Sequence, residues 1–373
     1  MKIKICHLTS VHSRYDVRIF IKECRSLAKV KNFKVNLIVA DDLGSEVVDD
    51  VSIHDVGKLN GRINRIFRTT RKVLEKAIEL DCDIYHFHDP ELIPVGINLK
   101  KRGKKVVYDI HENLVEQIKI KIWIPKIFRN IGALMFQVVE NFASKKFDVL
   151  IVPQPSMLNN YAKINDKTVL VENFVIVNID SFKSKKDFNN KNAFHAGVLS
   201  KDRGLLNMVN AYELLDDSNH LHLAGNIRFD KLDEFNKIME FSNISYLGVL
   251  PYKDSMDYYN NTSIGLILYN NVGQYYLSYA IKLFEYMMNS IPVIMPNFGE
   301  WVAFNNENNC GINVDPLNPI EVAEAINFLN NNIKIKEQLG INGRKAVLEK
   351  YNWDISKTKL LELYESLSHP FQA

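Results

Sequence analysis

Lys282 and Glu285 stand three positions apart, just before the apolar run IPVIM. On a helix these two positions share one face. The preceding loop, YNNVGQYYLSY, follows the strand pattern SIGLILY, so the helix would begin at the carboxyl end of that strand. Free amides and the macrodipole at a helix N-terminus attract phosphate, while a glutamate accepts hydrogen bonds from vicinal hydroxyls. We therefore favour the interpretation that the pair binds a ligand with an anionic end and a hydroxyl-rich end. The alternative is that Lys282 and Glu285 form only a weak surface ion pair.

The elements that would position this pair alternate between strands and helices. Apolar runs such as KIKICHL, FKVNLIVA and DVLIVP are separated by helical patterns, and the series restarts after Asn173 with NAFHAGVL and HLHLAGN. This alternation predicts parallel sheets with right-handed crossovers. We predict an α/β fold of two tandem doubly wound, Rossmann-like domains, over residues 1–173 and 174–355. A helix over 356–373 would brace the first domain.

Ligands of such sheets bind beyond the carboxyl ends of the strands. In a tandem arrangement, both sets of strand ends can face one central cleft. A polar hinge is predicted within residues 171–187, where SFKSKKDFNNKN is rich in charge.

Composition narrows the class of protein. A chain of 373 residues exceeds the ~250 residues of a typical single core. A net charge of +3 does not favour nucleic acid as a partner. No signal peptide precedes the first strand pattern, and no apolar run reaches the about 20 residues that span a bilayer. The four cysteines show no metal or redox spacing. We therefore expect a cytoplasmic protein with reduced thiols.

The segment KLFEYMMNSIPVI resembles the donor-site helix of the retaining family 4 glycosyltransferases, which have the GT-B fold. In that family the glutamate binds the ribose of the nucleotide sugar. The resemblance therefore implies that Glu285 has this role, and that Lys282 and Leu283 belong to the donor site. Many members carry a second glutamate eight positions earlier that contacts the donor sugar. This chain departs from the family there, because the position is Leu277.

The segment HAGVLSKDRGLLNMVNAYELL resembles the next family element, a strand, a glycine and a charged loop before a helix. Relatives place an arginine just after the first glycine, Gly197, where this chain has Val198. They place a lysine before the second glycine, and Arg203 matches that position. By the resemblance, Arg203 and Lys282 grip the diphosphate, since a guanidinium forms a phosphate fork. On its own, KDRG would fit a solvated loop.

Two further strand ends match the family pattern around the nucleotide base. In LHLAGN and ISYLGVLPY, Gly225 and Gly248 follow apolar strands. Glycine at these positions would let the backbone approach the nucleotide closely.

The segment VVYDIHENL resembles the family segment in which a histidine at a strand end faces the donor sugar. The match implies that His111 is the active-site histidine, with Asp109 and Glu112 beside it. An alternative interpretation is a capping box, because Asp109 precedes Glu112 by three residues. Both interpretations can hold.

The segment IYHFHDPELIPVG is a similar strand exit, and it offers His86, His88 and Asp89 to the acceptor side. Two histidines spaced by one residue also occur in metal sites. No third ligand is evident in the sequence, so we expect no metal.

The segment SVHSRYDVRIF forms the turn after the first strand, where most relatives have glycines. It resembles a subset of bacterial polysaccharide-assembly transferases with an aspartate and an arginine in this turn. Asp16 is a candidate to orient the acceptor or to act as general base, and equally a candidate helix N-cap. His12 and Arg18 complete the acceptor-side candidates.

Two basic stretches lie in the first half of the chain, at residues 58–76 and 119–137. The second mixes Lys119, Lys121, Lys126 and Arg129 with an aromatic and apolar segment around Trp123. A basic helix beside an apolar one suits an anionic membrane surface, although a solvated helix beside a core helix is the alternative. We expect peripheral attachment to the inner face of the plasma membrane.

The resemblance implies an enzyme, a hexosyltransferase-type glycosyltransferase (EC 2.4) of polysaccharide or capsule assembly. It also implies that residues 1–173 form the acceptor side and that residues 174–355 bind the nucleotide sugar. It would move a sugar from a nucleotide-diphosphate sugar, with UDP favoured, to a hydroxyl of a glycan or lipid-linked acceptor, with retention. The assigned catalytic residues are His111, Asp16, Arg203 and Lys282. No cofactor or metal is expected, because cations and helix dipoles would stabilise the leaving diphosphate.

Two alternatives stay open. One is a sugar-nucleotide epimerase of the same architecture, which would carry carboxylates to move the C2 proton. The other is a non-catalytic GT-B subunit that supports a partner enzyme, an interpretation that Val198 and Leu277 allow.

Overall fold

The computed structural model describes residues 2–120, 125–177, 186–228, 241–276 and 279–368. The chain divides into two compact units. Unit 1 runs to Asn173 and includes the C-terminal segment from Trp353, and unit 2 is Phe174–Asn352.

Unit 1 is built on an eight-stranded sheet. Its strands are β1 (Ile3–Leu8), β2 (Phe33–Val39), β3 (Glu46–Val48), β4 (Val51–Asp55), β5 (Ile84–Phe87), β6 (Lys105–Asp109), β7 (Val149–Val152) and β8 (Thr168–Leu170). Their order is β3-β4-β2-β1-β5-β6-β7-β8, and every pair is parallel except β3–β4. The sheet grows in one direction from β1 to β4 and in the other from β5 to β8. Ligands of such sheets bind where the direction reverses, which here lies between β1 and β5.

Helices cover both faces of this sheet. Helix α1 is π-helical over Val17–Cys24 and α-helical over Arg25–Ala28, and α2 runs through Arg62–Asn64, Arg65–Thr69 (π-helical) and Thr70–Leu80. The others are α3 (Ile93–Lys101), preceded by a 3₁₀ turn at Pro90–Leu92, α4 (Leu114–Ile120), α5 (Lys126–Ser144), α6 (Pro155–Tyr161) and the C-terminal helix (Trp353–Ser368).

The two faces of the unit 1 sheet have separate apolar cores. Ile5 and Val35 pack with Phe20 of α1 and with Leu360 of the C-terminal helix. The opposite face packs under α2, α3 and α5. Burial on both faces explains why the central strands read as continuous apolar runs rather than alternating ones.

Unit 2 is built on a six-stranded parallel sheet of order β13-β11-β9-β14-β15-β16. The strands are β9 (Asn192–Ala196), β11 (His220–Ala224), β13 (Ile244–Tyr246), β14 (Ile264–Leu266), β15 (Val293–Pro296) and β16 (Gly311–Val314), while β10 (Leu199–Ser200) pairs with β12 (Ile227–Arg228). The direction of growth reverses between β9 and β14, so a ligand is expected at that point.

The helices of unit 2 follow its strands, and the last two both come after β16. They are α7 (Leu205–Tyr212), α8 (Tyr252–Asn260), α9 (Ile281–Met288), α10 (Glu300–Asn308), α11 (Pro319–Asn331) and α12 (Ile333–Glu349), with a 3₁₀ turn at Gly273–Tyr276. The segment LDEFNKIMEFS, whose pattern predicts a helix over 232–242, lies mostly outside the described residues. The predicted α/β fold with two doubly wound, Rossmann-like sheets is confirmed.

Helix α5 is unusual because much of its apolar surface faces outward. Within the described part of the chain, no helix combines the length and the hydropathy needed to cross a bilayer. The exposed apolar side chains of α5 are Ile127, Phe128, Ile131, Leu134, Met135, Val138, Val139 and Phe142.

Candidate functional site

Backbone from three neighbouring strand ends lines the carboxyl edge of the unit 2 sheet. Gly197 follows β9 and donates its N–H to Ala224 at 2.9 Å, and Gly225 donates to the carbonyl of Gly248 at 2.7 Å. Gly225 has a φ of 129°, and a Cβ there would lie 1.7 Å from the carbonyl oxygen of Gly197. A side chain at position 225 is therefore excluded, and the loops after β9, β11 and β13 lie edge to edge.

Lys282 stands in the first turn of α9 and is buried. Its Nζ lies 2.8 Å from Nε2 of His195, whose Nδ1 lies 3.0 Å from the carbonyl oxygen of Leu266. The carbonyl accepts from Nδ1–H, so Nε2 of His195 is the acceptor for Lys282. Burial and the nearby charge of Arg203 lower the pKa of Lys282 to about 7, and Glu285 opposes them. An anion at this place would restore the charged form of the amine.

Arg203 lies between β10 and α7. Its Nε donates to the hydroxyl of Tyr275 at 3.2 Å, and the rings of Tyr275 and Tyr269 are 4.7 Å apart between centroids. Nζ of Lys282 lies 5.6 Å from the centroid of Tyr269. The two cations therefore border one pair of aromatic rings, near enough for Arg203 to lower the pKa of Lys282.

Glu285 lies one turn after Lys282 and is half-buried. Its Oε2 accepts a hydrogen bond of 2.8 Å from the hydroxyl of Tyr259, which belongs to α8. The side chain of Leu283, predicted for the donor site, lies instead in the apolar core of unit 2. Leu277 lies outside the described residues.

Four residues of this region were not picked out from the sequence. They are His195, Tyr259, Tyr269 and Tyr275. His195 lies inside a strand pattern, where a histidine usually only fills the core, so its place beside Lys282 had no local signal. The tyrosines cluster visibly in the sequence, but the hydrogen bonds of Tyr259 to Glu285 and of Arg203 to Tyr275 depend on the fold.

A second group of polar residues lies at the reversal point of the unit 1 sheet. Asp89, just after β5, accepts from the hydroxyl of Thr9 at 2.9 Å and from the N–H of Ser10 at 2.6 Å. It also lies 3.0 Å from Nδ1 of His12. Burial opposes the charge on Asp89, but the contacts with His12 and Ser10 hold its pKa well below the usual value. Burial likewise opposes the charge on His12, and Asp89 outweighs it, so the pKa of His12 is raised.

His111 is oriented by a buried carboxylate. Asp109, at the end of β6, accepts two hydrogen bonds of 2.8 Å from Arg18. Its Oδ2 lies 2.9 Å from Nε2 of His111 and 3.1 Å from Nδ1 of His88. Burial opposes the negative charge, but Arg18 and His111 hold the pKa of Asp109 well below its usual value. The rings of His111 and His12 are 5.0 Å apart, so the structure brings the predicted histidines of both strand exits together.

The remaining candidates of unit 1 have clear local roles. Arg18 is almost fully buried and bonds Asp109. Asp16 caps α1, because its Oδ1 accepts from the N–H groups of Arg18 and Ile19 at 2.8 and 2.9 Å. Glu112 is exposed and accepts from the side chain of Gln117.

The capping-box interpretation of Asp109 and Glu112 is wrong. Helix α4 begins at Leu114, and its cap is Asn113, whose Oδ1 accepts from the N–H of Glu116 at 3.2 Å. Asp109 remains in β6 and points into the buried polar cluster instead.

A cavity of about 420 Å³ lies beside His12 in unit 1. Ser10 and His12 line one side, and Lys58, Arg62 and Arg65 contribute basic groups. Arg65 pairs with Glu91 at 2.9 Å. The cavity therefore offers hydroxyl and cationic groups next to the histidines.

Two doubly wound sheets, with cationic and glycine-rich strand ends in the second, fit the two-domain GT-B architecture. The model described as Glycosyltransferase Family 4 matches residues 14–178, and the one described as Glycosyl transferases group 1 matches residues 177–346. The chain is therefore a glycosyltransferase of the family 4 type. No protein of curated function matches it by sequence.

Solved structures resemble the chain over nearly its whole length. Sucrose-phosphate synthase from Thermosynechococcus elongatus is 17% identical with a TM-score of 0.77, covering 98% of this chain and 99% of its own. Anabaena HepE, solved with UDP and glucose and also with UDP-glucose, is 14% identical with a TM-score of 0.73, covering 98% and 100%. At such identities the likeness shows the fold alone, and that fold is GT-B.

Proposed function

We propose that the chain transfers a sugar from a nucleotide-diphosphate sugar, with UDP favoured, to a hydroxyl of a glycan or lipid-linked acceptor. The anomeric configuration is retained, and no divalent metal acts at the diphosphate. The observation that carries the proposal is the placement of Lys282 and Arg203 beside Glu285 at the reversal point of the unit 2 sheet. The UDP and UDP-glucose in the HepE structures support the choice of donor.

On the donor side, the leaving group is an anion that needs stabilisation as the glycosidic bond breaks. Lys282 and Arg203 supply positive charge, and the N-terminus of α9 adds its dipole. Glu285, held by Tyr259, accepts hydrogen bonds from the ribose hydroxyls. Fixed cations need no reorganisation during the reaction, so they replace a metal ion in this role.

On the acceptor side, His111 has a fixed orientation because Asp109 holds its Nε2. This fixed orientation suits a group that faces the donor sugar, because a positioned side chain needs no reordering when the substrate binds. The leaving phosphate oxygen takes the proton of the acceptor hydroxyl, so no separate base is required. Asp16 remains a candidate to orient the acceptor from the start of α1.

The basic cavity beside His12 is our proposed entrance for the acceptor. Its cationic lining suits an acceptor that carries phosphate, as a lipid-linked glycan does. The exposed apolar side chains of α5 would enter the interface of an anionic membrane, and Lys145 and Lys146 follow directly. This arrangement fits a cytoplasmic enzyme of polysaccharide or capsule assembly at the inner face of the plasma membrane.

Membrane attachment is tested by co-sedimentation with vesicles of phosphatidylglycerol and phosphatidylcholine. The double variant Leu134→Glu and Val138→Glu should abolish co-sedimentation, because a charge within the apolar face opposes insertion. Leu214→Glu, which changes an exposed leucine of unit 2, is the matched control. Equal sedimentation of the double variant and the control would exclude α5 as the attachment surface.

The function is tested first by thermal stabilisation with a panel of UDP, GDP, ADP and TDP sugars. We expect one nucleotide class, UDP, to raise the melting temperature. Transfer to membrane-extracted lipid-linked glycans is then followed by mass spectrometry, without a chelator, and compared with and without added Mg²⁺ or Mn²⁺. The configuration of the new linkage is determined by NMR.

The same assays discriminate the alternatives. A new nucleotide sugar formed from UDP-GlcNAc alone would identify an epimerase. Donor binding without hydrolysis or transfer, even with membrane extracts, would favour a non-catalytic subunit. Stabilisation by no nucleotide sugar would contradict the proposal.

A further inference from the structure

The apolar core of unit 1 encloses a cluster of four buried ionisable side chains. His7 of β1 and His86 of β5 are register partners, so their side chains share one face of the sheet. His88, two residues after His86, lies on that same face. Glu23 reaches the cluster from α1. All four side chains are exposed by 1% or less. They come from the consecutive elements β1 and α1 and from the end of β5, much further along the chain.

The ligand-type atoms of this cluster point to one common place. Nδ1 of His7 lies 3.0 Å from Nε2 of His88. Oε2 of Glu23 lies 3.9 Å from Nδ1 of His7 and 3.9 Å from Nε2 of His86. One such atom from each residue lies within 4.8 Å of all the others. In a tetrahedral site with bonds of about 2.0–2.1 Å, ligand atoms are about 3.4 Å apart. The measured distances bracket that value.

The other nitrogen of each imidazole has an acceptor. Nδ1 of His88 lies 3.1 Å from the carboxylate of Asp109. Nδ1 of His86 and Nε2 of His7 lie 2.8 and 3.4 Å from the hydroxyl oxygen of Tyr364, in the C-terminal helix. Metal-binding histidines characteristically donate their second N–H to a carboxylate or another oxygen, which fixes the tautomer and turns the ligating nitrogen toward the ion.

Without an ion, the cluster leaves polar atoms unsatisfied. Both carboxylate oxygens of Glu23 and Nε2 of His86 are buried without a hydrogen-bond partner in the described part of the chain. Arg18 approaches Oε1 of Glu23 at 3.3 Å as an ion pair, but it gives its hydrogen bonds to Asp109 and Val171. Unsatisfied buried polar groups cost free energy. The carboxylate of Glu23 and Nε2 of His86 lie close together, so one bound ion could satisfy both.

We propose that His7, Glu23, His86 and His88 bind a divalent transition-metal ion, with zinc the best match. Three imidazole nitrogens and one carboxylate oxygen are ligands that zinc prefers, and four protein ligands form a closed, structural site. The ion is held by a Glu23 carboxylate and neutral imidazoles, so any proton on these groups leaves when it binds. The facing charges are the guanidinium of Arg18 and the carboxylate of Asp109.

Such an ion would have a structural role. It would connect β1, β5 and α1, and Tyr364 would extend the connection to the C-terminal helix. These four residues all belong to unit 1, whereas the residues proposed to bind the diphosphate belong to unit 2, so the proposal goes beyond the transferase function. The sequence suggested no metal because no third ligand was evident, whereas the fold brings His7 and Glu23 to the two histidines spaced by one residue.

The test begins with the metal content of the full-length protein, expressed in zinc-replete medium and purified without chelators. Inductively coupled plasma mass spectrometry should find about one zinc ion per chain. Glu23→Gln keeps the shape of the side chain and removes the charged ligand, so bound zinc should fall at least about tenfold, the loss that changes around metal ligands already cause. The matched control is His54→Asn, which changes a half-buried histidine of β4 in the same unit. Its zinc content should equal that of the wild type.

A second measurement keeps the test decisive if Glu23→Gln fails to fold. Prolonged treatment of the wild type with dipicolinate should lower the melting temperature, and added zinc should restore it. Cobalt added to the stripped protein should give the visible absorption of a tetrahedral site. Another divalent transition metal that is lost in Glu23→Gln and kept in the control would support the site and correct the ion. Wild-type protein with no transition metal, and with no thermal response to zinc or cobalt, would overturn the proposal.

Discussion

Nζ of Lys282 lies 2.8 Å from Nε2 of His195, although 87 positions separate the two residues. The histidine can accept this hydrogen bond because the carbonyl of Leu266 holds its other nitrogen as the donor. The contact anchors a buried amine that has no carboxylate within hydrogen-bond distance among the described residues. Lys282 is therefore positioned to bind an anion. Burial and Arg203 lower its pKa to about 7.

The affinity for a nucleotide sugar should fall as the pH rises above 7. Lys282 is partly neutral in the unliganded protein, and a bound diphosphate favours its charged form, so binding above pH 7 takes up a proton. Affinity should then fall by up to about tenfold per pH unit until the pKa of the complex is reached. Isothermal titration calorimetry with UDP-glucose between pH 6 and 8.5, in buffers of different ionisation enthalpy, measures both the affinity and the proton uptake. Lys282→Met should bind weakly and without this slope, and an equal slope in that variant would assign the proton to another group.

Glu285→Ala should abolish the thermal stabilisation by a nucleotide sugar. The carboxylate is the proposed acceptor for the ribose hydroxyls, and hydrogen bonds to charged groups contribute about 1.5–3 kcal/mol each. Tyr259→Phe keeps the carboxylate but removes the hydroxyl that holds it, so the stabilisation should shrink without disappearing. Glu213→Ala, at an exposed glutamate, is the control. Unchanged stabilisation of Glu285→Ala would remove this residue from the ribose site.

Arg203→Ala should lower kcat by about 10²–10³-fold, the usual effect of removing one group that stabilises charge in the transition state. The KM for the donor should change less, because the leaving diphosphate carries more charge in the transition state than in the bound donor. Steady-state kinetics of sugar transfer measures both constants. Lys201→Ala, at an exposed lysine of the same loop, should retain normal kinetics. A higher KM with an unchanged kcat would show that Arg203 only binds the donor.

Gly204→Ala should destabilise unit 2 more than Gly103→Ala destabilises unit 1. The two glycines have nearly the same φ, 77° and 79°, so the backbone strain on substitution is similar, about 1 kcal/mol or more. A Cβ at position 204 would lie 1.9 Å from the carbonyl oxygen of Leu268, whereas position 103 has open space. Gly204→Ala should therefore cost about 2 kcal/mol or more in addition. Urea unfolding of both variants measures the difference, and equal losses would contradict the close approach.

His12 should make the stability of unit 1 depend on pH near neutrality. Asp89 raises the pKa of His12 in the folded state against the effect of burial, so the folded state binds its proton more tightly than the unfolded state does. This contribution is complete below the unfolded pKa of about 6.5 and is lost as the pH rises through the folded pKa. The free energy of unfolding, measured at several pH values, should lose this slope in His12→Gln. Persistence of the slope would assign it to another group.

Much of the fold could be predicted from the sequence because its signals are local. Apolar runs and helical patterns alternate at short range, and they led to two doubly wound sheets. The three-residue spacing of Lys282 and Glu285 likewise required only helical geometry. Errors arose where two local patterns competed: the spacing of Asp109 and Glu112 matched a capping box, but the strand continues through Asp109 and Asn113 caps the helix instead.

The sequence by itself determined the alternation of strands and helices, the glycines at the strand ends, and which charged residues share a helical face. These properties depend on neighbours within one or two turns of chain. Only the tertiary structure decided that His195 supports Lys282, that Leu283 belongs to the core, and that His7 and Glu23 join His86 and His88. Tyr364 approaches His86 across 278 positions. Such contacts depend on which strands pair and which helices cover them. Local periodicity in the sequence carries no information about that pairing.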